Sequence, residues 1–428
     1  MAIELSSITF TNRADVVPAS GVDEIVNTGV ANTLGGDDII NGESGNSIPG
    51  GGVPAPNAGI VNTGTLNTDG GNDRLTGIFN DPTNNSFTGY GIYSLEGIID
   101  TGDGNDILTG IGIDRGIVGQ SGTLDTGNGN DIITGTGFFG IESNWDTFNT
   151  GNGNDIITGI GTKYGGILNN GPINTGDGND RINGTTSSGS GITNSSNGSI
   201  DTGEGNDIIT ATGNYYILYN TGSINTGNGN DSIIAEHNGD LPLYSSVNDG
   251  TIDTGSGNDS IILNGGLYNS GGLFLGEGND SLALTPPKFF PNYALTNSDV
   301  IDTGDGNDII TSTGVIYNEG GFSDGVINTG NGQDSLIAEG GFEGTGNVFL
   351  GNGKDYLKGF GSGNFDGGNG KDTLELTAGS YTVGISGTGV NFTKGSIIMN
   401  TSGFEELIAG STTYDFNHLT NGQTIFVA

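Results

Sequence analysis

The chain has 428 residues, 86 of them Gly and none Cys, and carries 49 Asp and Glu against 10 Lys and Arg, for a formal charge of −39. This composition excludes disulfides and thiolate metal sites, and a uniformly negative chain repels the phosphates of nucleic acid and acidic lipid. No apolar run is long enough to span a bilayer, and Met1 to Leu5 lacks the basic and apolar regions of a cleaved secretory signal.

Residues 1–31 precede the first repeat and are expected to form an N-terminal cap or a strand donated to a neighbour, because a bare sheet end invites strand addition. From 32 to 375 the hexapeptide Thr-Gly-x-Gly-Asn-Asp recurs. Its terminal aspartates are Asp38, Asp73, Asp106, Asp131, Asp155, Asp180, Asp207, Asp231, Asp259, Asp280, Asp308, Asp334, Asp355 and Asp372. Two residues after each comes Ile or Leu, from Ile40 and Leu75 to Leu357 and Leu374. The residue between varies (Arg74, Ile156, Ser232, Tyr356), so one side faces in and the other out, beginning directly after a carboxylate.

Successive aspartates are mostly 24 to 28 residues apart across the middle of the chain. That period is too long for a hairpin and too short for a domain, and it fits one coil of a solenoid. Upstream of many motifs lies Asn-x-Gly-x-Ile, as at Asn169–Ile173, Asn220–Ile224 and Asn248–Ile252. Each coil is therefore expected to hold three short strands, an Asn corner and the Gly-rich turn. The fold expected is all-β, a right-handed parallel β-solenoid (β-helix or β-roll) of roughly 14 coils with a thin core and essentially no helix. Inserts around Asn46–Pro54 and Pro286–Pro291 read as loops, since Pro is unwelcome in a central ladder. Phe289, Phe290 and Tyr293 are expected to cover the core there. Residues 376–428 lose the motif, alternate instead, and read as a C-terminal cap of strands.

The hexapeptide has the properties of an oxygen cage. Gly lets the turn fold tightly with carbonyls inward, and Asp adds carboxylate oxygens, a ligand set suited to Ca²⁺ rather than to softer metals. One turn holds too few ligands, so the ion is expected between coils, in a single column of about ten or more ions. Besides the fourteen aspartates, the candidate ligand residues are the first and third of each turn. These are Thr101 and Asp103, Thr126 and Asn128, Thr150 and Asn152, Thr175 and Asp177, Thr202 and Glu204, Thr226 and Asn228, Thr254 and Ser256, Thr303 and Asp305, and Thr329 and Asn331.

The pattern resembles the RTX, or haemolysin-type, calcium-binding repeat, whose nonapeptide is Gly-Gly-x-Gly-x-Asp-x-(large apolar)-x. Gly367 to Glu375 matches it at every position. Elsewhere the first Gly is usually Thr, and one motif stands in about 25 residues where the family runs tandem nonapeptides, which implies one calcium column. The segment Gly403 to Gly410 looks like the end of many such proteins, and Thr424 to Ala428 resembles the uncleaved signals read by type I secretion systems. The resemblance to cyanobacterial-type surface proteins of this kind implies export and an extracellular or cell-surface location.

Catalysis has little to work with. His237 and His418 lie in loop-like sequence, Gly135 to Gly140 matches the dinucleotide fingerprint by letter alone, and the lysines are scattered. Trp145 reads as core filler or a corner plug. The function expected is therefore a non-enzymatic, secreted, calcium-binding structural protein, a subunit of a surface layer, fibre or matrix. Its expected partners are calcium, further copies of itself and a cell-surface polysaccharide. Two other readings stay open: a polysaccharide-acting β-helix enzyme, and a calcium-dependent ice-binding or adhesion module. The latter proteins place Thr at the variable turn position, where this chain has Asp, Asn, Glu or Ser.

Overall fold

Alternation begins where each turn ends. After Asp106, Leu108 and Gly110 are buried while Ile107, Thr109 and Ile111 face outward, and the same phase follows Asp131 and Asp155. So short a strand takes its ladder from the equivalent strand one coil away: Leu108 lies beside Ile133, and Ile133 beside Ile157. The computed structural model describes residues 2–18, 23–44, 57–80, 88–237, 246–288, 292–319, 325–387 and 389–428. The protein is all-β, a mostly parallel β-solenoid. Among the described residues the helical turns are two 3-10 turns, Leu5–Ser7 and Phe416–His418. The insert at Asn46–Pro54 and residues Phe289 to Pro291 lie outside the described residues.

The chain divides into two compact units, Met1–Gly227 with Glu236–Gly239 and Asn228–Ala235 with Asp240–Ala428. In the first, a representative coil runs through strands Ile107–Ile111, Arg115–Gln120 and Thr123–Asp125 before its turn. Ile117 pairs with Ile141 and Leu124 with Phe148, all fully buried, so each inward column is a stack of apolar side chains. The core is thin in the literal sense. A Cβ on Gly110 would stand 2.3 Å from the Gly116 carbonyl, and one on Gly135 2.2 Å from that of Gly140. Backbone rests on backbone across the coil.

Corner Asn side chains do form a ladder. Asn169 donates from Nδ2 to Asn194 Oδ1 at 2.9 Å, and Asn194 to Asn220 at 2.8 Å. The ladder is interrupted at Ser94, Gly119 and Ser143, which pair in register. Trp145 fills that interruption, buried over Gly119. Coiling also starts earlier than the repeat does. Val16 and Val17 pair in parallel with Ile39 and Ile40, which puts Asp15 one coil ahead of Asp38.

In the second unit, larger side chains replace the core Gly pairs: Ala235, Leu263, Leu284 and Ala338 are all buried. An Asn ladder runs here too, from Asn248 through Asn269 and Asn297 to Asn318. Beyond Leu376 the chain turns antiparallel, with Gly379–Ser386 between Gly389–Lys394 and Thr424–Val427. It then rejoins the solenoid. Ile397–Ser402 pairs in parallel with Gly363–Asp366, and Glu406–Ala409 with Thr373–Leu376. Tyr293 is exposed and donates its hydroxyl to Glu343 at 2.8 Å.

Within the turns, Gly129 has φ of 157°, and a Cβ there would lie 1.4 Å from the Gly104 carbonyl of the preceding coil. Gly422 also has positive φ but meets nothing within 4 Å. Gly129→Ala should therefore cost on the order of 3 kcal/mol or more, and Gly422→Ala about 1 kcal/mol, in thermal unfolding of the calcium-supplemented protein. Equal costs would show that the close coil-to-coil approach is not rigid.

Candidate metal centre

The hexapeptide folds so that its two ends are inside and its middle is outside. Thr101 and Asp106 are fully buried, Asp103 and Asn105 are exposed, and the flanking Gly residues have positive φ. Gly is needed at both places, because the carbonyl of each turn Gly points along the stack at the α-carbon of its counterpart.

The buried ends are knitted from coil to coil. Thr101 donates its hydroxyl to the Thr126 carbonyl at 3.4 Å, Thr126 to Thr150, Thr150 to Thr175, and Thr175 to Thr202. Thr202 donates to Thr226, and in the second unit Thr254 to Leu275, Thr303 to Thr329 and Thr329 to Leu350. Alongside runs an aspartate ladder, in which the backbone N–H of each motif Asp donates to Oδ1 of the next. In the first unit it passes from Asp38 through Asp73, Asp106, Asp131, Asp155 and Asp180 to Asp207 at 2.7–2.8 Å. In the second it passes from Asp231 through Asp259, Asp280, Asp308, Asp334 and Asp355 to Asp372 at 2.7–2.9 Å.

Both ladders end on residues outside the motif. Asp15 N–H donates to Asp38 Oδ1 at 2.7 Å, and Asp372 N–H donates to Glu405 Oε2 at 2.8 Å. Glu405 occupies the register position of an Asp, with a side chain one methylene longer. The signals were present: Asp15 and Glu405 each stand two residues before an apolar side chain, Val17 and Leu407. Without the Gly-rich turn around them they did not read as copies.

Only one carboxylate oxygen is used in this way. The second, Oδ2, is buried and makes no hydrogen bond in Asp38, Asp73, Asp106, Asp131, Asp155, Asp180, Asp259, Asp280, Asp308, Asp334, Asp355 and Asp372. A buried carboxylate without a counter-charge is costly, so its proton affinity rises. Burial is the leading cause in each case. It lifts Asp106, Asp131 and Asp280 to about 7, and Asp73, Asp155, Asp180, Asp259, Asp334, Asp355 and Asp372 to about 6. Asp38 and Asp308 move in the same direction.

The third residue of each turn is placed differently from the Asp. Asp103, Asn128, Asn152, Asp177, Glu204, Asn228, Asp305 and Asn331 are exposed and Ser256 is half-buried. Their side chains bond to one another along the outer rim, as Asn128 Nδ2 does to Asp103 Oδ1 at 2.7 Å. The backbone carbonyl of Asn128 accepts from Gly104 N–H at 2.8 Å, and that of Asn152 from Gly129 N–H at 2.8 Å. Among the described residues no three His, Cys, Asp or Glu side chains converge, so acidic groups enter the column one per coil. Of the remaining polar candidates, His418 is exposed beside Asp415, and Gly135 to Gly140 lies within the strand Ile132–Asn144.

No family model matches the chain, and no curated protein matches it. Among solved structures, the chain is similar to a hyperactive, Ca²⁺-dependent, β-helical antifreeze protein from an Antarctic bacterium. The identity is 17%, the TM-score 0.43, and the match covers 98% of this chain and 95% of that one.

Raised carboxyl values mean that, without metal, the folded chain holds protons more tightly than the unfolded chain. That stabilisation is fully present below the ordinary Asp value and is lost as pH rises through about 6 to 7. In chelator, the melting temperature followed by circular dichroism should therefore climb when pH is lowered from about 7.5 to about 5. A flat or falling melting temperature would mean the column is not a burden to the metal-free fold.

Proposed function

We propose that the aspartate columns bind Ca²⁺ between adjacent turns and that the protein is a calcium-loaded structural component of an extracellular surface, layer or matrix. The row of buried Oδ2 atoms without hydrogen-bond partners carries this reading, since such atoms need a cation or a proton. The donor set is all oxygen and close-spaced, which suits a hard cation of flexible coordination. The Asp side chains would supply carboxylate oxygens. The third-position residues would contribute through their backbone carbonyls, because their side chains mostly face solvent, and the Thr residues through carbonyl or hydroxyl oxygens, which keep a lone pair while hydrogen-bonded. A bound divalent ion supplies positive charge to a column that otherwise repels itself. Ten such ions would bring the formal charge from −39 to roughly −19, lessening repulsion between copies in a fibre or layer.

Export fits this reading through linkage, because metal that binds only the folded form stabilises it by mass action. The chain would stay loose at cytosolic calcium and fold outside the cell. At neutral pH, β-content and melting temperature by circular dichroism should both be lower in excess chelator than in millimolar calcium. Asp131→Asn combined with Asp155→Asn should lower the melting temperature in calcium much more than in chelator. Equal β-content in both conditions would overturn the calcium reading.

One further observation favours adhesion to an ordered, uncharged surface, ice included. On the outward face of the first unit, Thr76, Thr109, Thr134 and Thr158 stack in register, flanked by Ile107, Ile132 and Ile156. Ice-growth inhibition that disappears in Thr134→Lys but survives in Asn128→Lys would place the activity on this face. Its absence in the calcium-loaded protein would remove the reading.

A further inference from the structure

A second surface of the first unit collects aromatic rings, and neither the calcium columns nor the Thr face explains it. It lies along the outward side of the second strand of each coil. Tyr90, Arg115 and Phe139 pair in register on successive coils. Tyr90 packs on Tyr93 at 5.2 Å between ring centroids, and Phe139 packs on Tyr164 at 5.4 Å. The Arg115 guanidinium covers the Phe139 ring at 5.4 Å, and Lys163 Nζ stands 4.7 Å from the Tyr164 ring centre. Two coils beyond Tyr164, Tyr216 stacks on Tyr219 at 5.1 Å. The coil between these two pads carries Ser187, Ser188, Gly189 and Ser190. Its backbone comes so near that a Cβ on Gly189 would lie 1.6 Å from the Tyr164 carbonyl. The result is a saddle of small hydroxylated residues between two aromatic pads.

From these contacts we infer that this strip binds a linear, uncharged polysaccharide. The shape is linear because the rings recur along the coil axis, with pads two coils apart separated by about 10 Å, comparable to a disaccharide in an extended chain. Sugar rings present flat C–H faces that lie on aromatic faces, and their hydroxyls need the donors and acceptors that Tyr tips and Ser side chains supply. Charge selects the class. Arg115 is spent on Asp114 and Glu142, and Lys163 lies over Phe138 and Tyr164. On a chain of −39 this strip is close to neutral, so it neither attracts polyanions nor repels an uncharged glycan. Tyr164 is 46% exposed, which leaves part of its ring to be covered.

The test uses the full-length chain in millimolar calcium, with circular dichroism on every sample so that a failure of calcium-dependent folding is read separately from a failure to bind. Retardation in gels containing a soluble uncharged β-glucan should be seen for the native chain. Tyr164→Ala and Tyr216→Ala should each weaken the affinity about tenfold, whereas Tyr164→Phe should retain it. Tyr268→Ala, in the other unit, should leave it unchanged. Retardation by alginate alone, no retardation by any uncharged glycan, or equal binding by the Ala variants would overturn the proposal. Ring-dependent self-association in sedimentation would also overturn it, by making the strip a contact between copies.

Discussion

The hydrogen bond from one aspartate backbone N–H to the carboxylate of the next coil sets the terms for everything else in this protein. It is charge-assisted and buried, so it is strong locally. It also draws a second carboxylate oxygen into the interior, buried and without a counter-charge in Asp106, Asp131, Asp155 and their counterparts. The bond that aligns the coils is therefore the source of the largest electrostatic burden on the fold. A cation that satisfies the spare oxygens turns that burden into a link, which is why metal and fold are one question here.

The thin core follows from the same arrangement. The stack derives its cohesion from repeated ladders of Thr, Asp and Asn, so each coil buries only a few aliphatic side chains. With so little apolar surface per coil, spacing between backbones must be tight, and Gly at the turns and across the first unit's core permits it. In the second unit Leu263 and Leu284 take up the space that Gly pairs close in the first, a different solution within one repeat plan.

Much of this was legible in the residues. The offset from Asp to Ile or Leu announced strand phase, the period announced the coil, and the Asn corners announced a ladder that the structure contains. Trp145 fills a corner where the Asn column lapses. Other features were hidden for definite reasons. Asp15 and Glu405 complete the ladder without the Gly-rich turn that made the other copies visible, and Glu405 takes the Asp position with a side chain one methylene longer. The outward placement of Asp103, Asn128 and their counterparts depends on turn geometry, which spacing alone does not encode. The aromatic strip joins residues 20 to 30 apart in sequence, so it exists only once the coils are in register.

The ladder has a direction, since each coil gives a donor forward and receives one from behind. Interior coils within a unit are thus interchangeable at their joints, while Asp15 closes the first unit's ladder and Glu405 the second's. A gene encoding such a chain can gain or lose whole interior repeats through duplication or unequal exchange without redesigning either end. Length becomes a heritable variable almost independent of fold, and related chains should differ by whole coils rather than by scattered residues.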